Sequence, residues 1–156
     1  MEELIITGQT KREKYETLLP QIASVIEDEP DMIANMANVA AMLHETFRFW
    51  WTGFYRVQGE QLVLGPFQGP LACTRIAKGR GVCGTAWQKA RTLVVKDVHQ
   101  FPGHIACSSA SQSEIVVPIL KENVVVGVLD IDSEKPAFFD EEDALYLEQV
   151  VKILWK

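Results

Sequence analysis

The sequence predicts an α+β domain with a mostly antiparallel central β-sheet flanked by N- and C-terminal helices. Three observations carry this. Apolar residues recur at three- and four-residue steps through the first third of the chain. The middle then switches to aromatic and β-branched runs joined by tight turns, and the end returns to a helical period. The 156 residues suit one domain, spanning 1–156, with no repeat, biased stretch or internal linker.

Tyr15, Leu18, Leu19, Ile22, Val25 and Ile26 form one helical stripe. Pro20 interrupts it, so a kink or a second helix is expected there. Pro30 and Asp31 supply a break and an N-cap for the next helix, which carries Met32, Met36, Val39, Leu43 and Phe47 on its buried face. Trp50 to Val57 suits a strand, Gln58-Gly59-Glu60 a turn, and Gln61 to Phe67 the returning strand of a hairpin. A short strand is expected near Leu71 to Ile76, then a loop at Gly79-Arg80-Gly81, a brief helix over Val82 to Lys89 and a strand at Thr92 to Val95. Lys96 to Ser113 follows neither period; it holds Pro102, Gly103, two histidines and four serines, the profile of a functional or disordered loop. Two strong strands, Ile115 to Leu120 and Val124 to Asp132, flank the turn Lys121-Glu122-Asn123. The last helix is capped by Asp140, with Glu141, Glu142 and Asp143 at the positive end of its dipole, and it buries Leu147, Val150, Val151 and Leu154. Helices at both chain ends are expected together on one face of the sheet.

Composition narrows the functional classes. A formal charge of −6 disfavours nucleic acid as a partner, because a phosphate backbone attracts surplus Lys and Arg. The N-terminus shows no basic region followed by a long apolar run, so no secretory signal is expected. The longest apolar run, Val124 to Leu129, is far too short to span a bilayer. A cytoplasmic location follows as the expectation, with no membrane partner and with thiols kept reduced.

Three cysteines, Cys73, Cys83 and Cys107, are an odd number for a structural framework. None forms a Cys-x-x-Cys pair. His104 and Cys107 have H-x-x-C spacing, which invites a zinc reading if Cys73 and Cys83 complete the set. Structural zinc more often uses two tightly spaced pairs, and only one pair is close here. Cys83, between Val82 and Gly84 at a helix start, suits a buried small hydrophobe as well as a redox role. Cys107 sits among Ser108, Ser109, Ser111 and Ser113 in the irregular stretch, where a thiol is more plausibly accessible and reactive.

Asp130 and Asp132 end an apolar strand two positions apart, so they share a face, which is also the face of Val126 and Val128. Either the strand emerges into solvent at Asp130 or two carboxylates enter an apolar pocket, which is costly without a cation or a shared proton. Glu114 starts the neighbouring antiparallel strand and should lie across from Asp130 or Asp132. Three carboxylates would then converge with coupled titrations, and one could hold a proton at neutral pH. Trp50 and Trp51 are adjacent on the first strand, so one is expected to face in and one out; either packs in the core or walls a pocket. His99 and His104 could assist proton transfer but read as loop residues.

These residues together resemble a known family. The runs Trp51-Thr52-Gly53-Phe54-Tyr55, Gly65-Pro66-Phe67-Gln68-Gly69, Ala72-Cys73-Thr74-Arg75-Ile76, Gly79-Arg80-Gly81-Val82-Cys83-Gly84, His104-Ile105-Ala106-Cys107, Ser113 to Pro118 and Leu129-Asp130-Ile131-Asp132-Ser133 resemble the free methionine-R-sulfoxide reductases, the GAF-domain reductases. The similarity covers nearly the whole chain, and the cysteine spacing separates it from GAF domains in general. The resemblance implies an oxidoreductase with Cys107 as the attacking thiol, Cys73 as the resolving cysteine and Cys83 in an auxiliary role. Glu114, Asp130 and Asp132 match the family's substrate-binding acids, and Trp51 matches its pocket tryptophan. It further implies a Cys107 sulfenic acid, an intramolecular disulfide and recycling by thioredoxin. Metal, nucleotide and flavin have no part in this chemistry, and no cofactor is expected. One acid of the cluster would protonate the departing oxygen, and the residues leave open which. Relatives of this fold commonly pair through terminal helices, so a homodimer is compatible with the resemblance. Two rival readings are a GAF module that senses a small ligand, though 156 residues leave no room for an output domain, and a zinc-stabilised regulatory protein.

Overall fold

A computed structural model describes residues 3–104 and 110–155. Helices α1 (Lys11–Ile26) and α2 (Met32–Phe47) come first. Strands β1 (Trp51–Gln58), β2 (Gln61–Gln68) and β3 (Arg75–Ala77) follow, then helix α3 (Gly81–Lys89) and strand β4 (Leu93–Val95). A 3-10 turn at Val98–Gln100, strands β5 (Ser113–Lys121) and β6 (Val124–Ser133), and helix α4 (Glu141–Leu154) complete the order. The strands form one sheet in the order β3-β2-β1-β6-β5-β4, and every pairing is antiparallel.

The two-residue period of the strands decides the layering. On β5, Ile115, Val117 and Ile119 join Leu129 and Ile131 of β6 in a core shared with α1, α2 and α4. The alternate residues, Val116 of β5 and Val128 of β6, belong to a second core on the opposite face, packed against α3. Helices from both chain ends thus share one face, as periodicity predicts. The second face is covered by α3 and by connecting segments, and it holds the pocket lined by Glu114, Asp130 and Asp132.

Local chemistry explains most boundaries. Thr10 caps α1 and Asp31 caps α2, each through its side chain. Asp140 and Asp143 form a reciprocal capping box at α4. Asp143 does more than complement the dipole: buried, it accepts from Tyr15 Oη at 2.7 Å and from Lys11 Nζ at 2.6 Å, clasping α4 to α1. The β5–β6 turn places Glu122 and Asn123 at φ 53° and 66°, the left-handed pair that suits a two-residue hairpin.

Several expectations are corrected. Pro20 lies within one continuous α1, so no second helix starts there; its position is exposed, where water can serve the Glu16 carbonyl that proline leaves without a donor. The strand expected near Leu71 to Ile76 is only Arg75–Ala77, whose register on β2 runs from Ala77 back to Arg75, with one further bond from Leu64 N–H to the Thr74 carbonyl. Trp50 precedes β1, and both it and Trp51 pack against the pocket-side core. Val126 does not share the face of Val128. Ile119 pairs with Gly127 but Leu120 pairs with Val125, so Val126 is the extra residue of a β-bulge and turns toward the helical core.

Candidate active site

The register of β5 on β6 brings the acids together. Glu114 lies opposite Asp132, and Val116 lies opposite Asp130. All three carboxylates line one open pocket together with Val82 and Cys83 of α3 and Trp51 and Tyr55 of β1. Glu114 and Asp130 are each only 6% exposed, so the solvent reading of the strand end is set aside.

Burial governs the electrostatics. Desolvation first, and then the neighbouring Asp130 charge, hold the Glu114 and Asp132 carboxyls well above the usual carboxylate range. Asp130 is also raised by burial, but the Glu114 and Cys83 side chains act in the opposite direction on it. The neighbours of Glu114 thus act to keep its proton, whereas Asp130 has neighbours that favour its carboxylate. Ser111 Oγ donates to Asp132 Oδ1 at 3.0 Å, a further local stabilisation of the carboxylate.

Cys83 is a free, buried thiol whose Sγ donates to Glu114 Oε2 at 4.0 Å. Burial, and then the Asp130 and Glu114 charges, push this thiol up, so it is held as S–H rather than thiolate. Cys73 is disulfide-bonded, which removes it from the alternative zinc set of Cys73, Cys83, His104 and Cys107. Cys107 lies outside the described residues, as do its neighbours Ser108 and Ser109.

The aromatic wall is built by close approach. Trp51 stacks on Phe67 at 5.2 Å between ring centroids and 17° between planes, and on Tyr55 at 6.0 Å. Its Nε1 donates to the Pro70 carbonyl at 3.0 Å. Gly53 and Gly69 make this possible: a Cβ on Gly53 would lie 2.6 Å from Trp51 Cη2, and one on Gly69 would lie 2.8 Å from Trp51 Cδ1. Gly84 plays the same part for α3, where a Cβ would meet the Ala77 carbonyl at 2.5 Å, so the helix start sits tight against the end of β3.

Sequence reasoning overlooked four contributors. Tyr55 follows Trp51 by two strand periods, a signal that was available; its Oη donates to the Cys73 carbonyl at 2.8 Å. The first turn of α3 borders the pocket without a side-chain cap, which leaves the positive end of that helix facing it. Arg80 lines the same end, and Leu71, 90% exposed, stands at the mouth. His104 also lines the pocket, held below the ordinary imidazole value by burial and by His99. His99 is exposed and paired with Asp97 at 3.0 Å.

Among the described residues no helix is long and apolar enough to cross a membrane. The profile of the GAF domain family matches residues 26–156. The chain is 59% identical to GAF domain-containing protein A of Dictyostelium discoideum, over 98% of each chain. It is 46% identical to the free methionine-R-sulfoxide reductase of Escherichia coli, covering 94% of this chain and 89% of that one. The structure of the free methionine-R-sulfoxide reductase from Neisseria meningitidis in complex with its substrate superposes with a TM-score of 0.97 at 56% identity, over 99% of this chain and 93% of that one. Fold, pocket and relatives agree: this chain belongs to the GAF-domain family and, within it, to the free methionine-R-sulfoxide reductases.

Proposed function

We propose that this protein reduces free methionine-R-sulfoxide to methionine with Cys107 as the nucleophile. The observation that carries the reading is the buried carboxyl cluster of Glu114, Asp130 and Asp132 facing the Trp51 wall in one pocket. Reduction of a sulfoxide by a thiol needs a proton for the departing oxygen, and a carboxyl kept neutral by burial and an acidic neighbour is a suitable donor. Glu114 fits that role best, since burial and both neighbouring aspartates act to keep its proton, whereas Ser111 favours the carboxylate of Asp132 and the Glu114 and Cys83 side chains favour that of Asp130. Asp130 and Asp132 then receive the substrate ammonium, a handle that peptide-bound methionine lacks. The uncapped start of α3 suits the α-carboxylate, and Trp51 and Tyr55 offer an apolar wall to the S-methyl end.

The Cys107 thiolate attacks the sulfoxide sulfur, the oxygen takes a proton from Glu114, and methionine leaves with Cys107 as a sulfenic acid. The Cys73 thiol condenses with it, releasing water and forming a disulfide. Cys73 is favoured over Cys83 as resolver because it is held in a disulfide while Cys83 is a buried thiol with a raised pKa. Cys83 serves the site as an auxiliary donor to Glu114. A dithiol protein such as thioredoxin, in the cytoplasm, resets the disulfide by exchange.

Incubation with methionine-R-sulfoxide and dithiothreitol should release free methionine, and absence of product would sink the reading. Cys107→Ser should abolish turnover, whereas Cys73→Ser should yield one methionine per chain in a single turnover. Full activity in Cys107→Ser would refute the assignment of roles.

A further inference from the structure

The floor of the pocket has the makings of a cation site in its own right. Cys83 Sγ, a Glu114 oxygen and an Asp130 oxygen all lie within 4.8 Å of one another. They come from α3, β5 and β6, and all three residues are buried. A separate observation points to a ligand. The Asp130 carboxyl hydrogen-bonds with the Glu114 and Cys83 side chains, yet its Oδ1 is buried without a partner among the described residues, and Asp130 lines the pocket. A desolvated carboxylate oxygen with no donor is destabilising, and a positive ion placed before it removes the penalty.

We propose that Cys83, Glu114 and Asp130 bind a zinc-class divalent cation, and that the bound ion excludes methionine sulfoxide from the pocket. One sulfur and two carboxylate oxygens suit borderline-soft, tetrahedral ions such as Zn2+ and Co2+, whereas Mg2+ and Ca2+ take oxygen only. Zinc–sulfur and zinc–oxygen lengths put a tetrahedral S···O edge at about 3.5 Å. The Cys83–Glu114 edge is 4.0 Å, so rotation of the carboxyl about its own bonds closes most of the gap. Binding expels the Cys83 proton and any proton held by Glu114 to solvent, leaving a coordinated thiolate and carboxylates. The fourth position faces the pocket, where water sits in place of substrate. The ion also occupies the acids that would receive the substrate ammonium, which makes the two ligands mutually exclusive. This second half rests on the function proposed above; the cation site itself does not.

Co2+ titrated into the disulfide form tests both halves, because there Cys73 is tied up and Cys83 is a free thiol. The expected result is a one-to-one complex with thiolate-to-cobalt charge-transfer absorption that stoichiometric Zn2+ displaces. Cys83→Ser should lose the band. Asp130→Asn should weaken Zn2+ binding by more than the roughly ten- to hundredfold seen when an outer partner of a ligand is removed. Methionine-R-sulfoxide should raise the apparent Kd for Co2+. Absence of the band in folded protein, or unchanged Zn2+ affinity in both variants, overturns the site. A band indifferent to saturating methionine-R-sulfoxide overturns the exclusion. A protein that binds Co2+ as described yet never releases methionine would uphold the cation site and refute the proposed activity instead.

Discussion

Replacing Gly53 with alanine should loosen the aromatic wall of the pocket from beneath. The added Cβ would lie 2.4 Å from Phe67 Cβ and 2.6 Å from Trp51 Cη2, where carbon contacts normally relax to about 3.5–4.0 Å. Gly53 is paired on both sides, with Phe67 on β2 and Asp130 on β6. The strand therefore cannot shift sideways without straining two ladders, and the Trp51 ring must move by about an ångström. Overpacking of this kind costs about 1–3 kcal/mol. Alanine also reduces the freedom of the unfolded chain, which offsets about 0.4–1 kcal/mol. The remainder spans about 0–2.6 kcal/mol, and its middle, about 1.3 kcal/mol, corresponds to a Tm lower by about 3–5 °C for a chain of this size. Thermal unfolding followed by circular dichroism measures the first effect. Steady-state kinetics measures the second, a KM for methionine-R-sulfoxide raised several-fold, since the displaced ring enters the space of the substrate side chain. A variant with unchanged Tm and unchanged KM would refute the claim that Trp51 is seated on Gly53.

Tyr55→Phe removes the hydrogen bond to the Cys73 carbonyl but keeps the ring; the first methionine should form at the native rate, and disulfide formation should slow several-fold. Equal rates for both steps, read by rapid-quench methionine and thiol counts, would show that the tether does not position Cys73. Glu114→Gln should slow the reductive step and also change the pH dependence of stability. Because burial raises the Glu114 pKa, the folded wild type holds a proton that the unfolded chain releases, so stability falls as pH rises upward from the ordinary carboxylate range. Glutamine removes that proton exchange, so Tm of the variant should fall less than that of the wild type over the same interval. Parallel curves would mean that Glu114 ionises in the fold as it does in the open chain.

Much of the site was legible because β-strands impose a local rule. Alternation along β6 put Asp130 and Asp132 on one face, and a turn as short as Lys121-Glu122-Asn123 made Glu114 a neighbour of Asp132. The rule failed where the backbone inserted a residue: the bulge at Val126 reversed its face, and nothing in a run of valines announces a bulge. It failed again at Trp50, because the strand begins only at Trp51. Tyr55 was legible in principle, two periods beyond Trp51, but its hydroxyl partner was not, since the Cys73 carbonyl lies in a segment that was expected to be strand and forms none.

By itself the sequence determined the α+β class, the terminal helices, the hairpins and the pairing of acids on β5 and β6. Each of these follows from backbone periodicity, capping and turn chemistry acting over a few residues. Only the tertiary structure decided that Cys83 meets Glu114 across 31 positions of chain, that Asp143 clasps α1 to α4, and that the pocket face is the one α3 covers. Those contacts depend on how helix and sheet faces bury against one another. Desolvation, which raises the carboxyls and the Cys83 thiol, exists only once that burial has occurred.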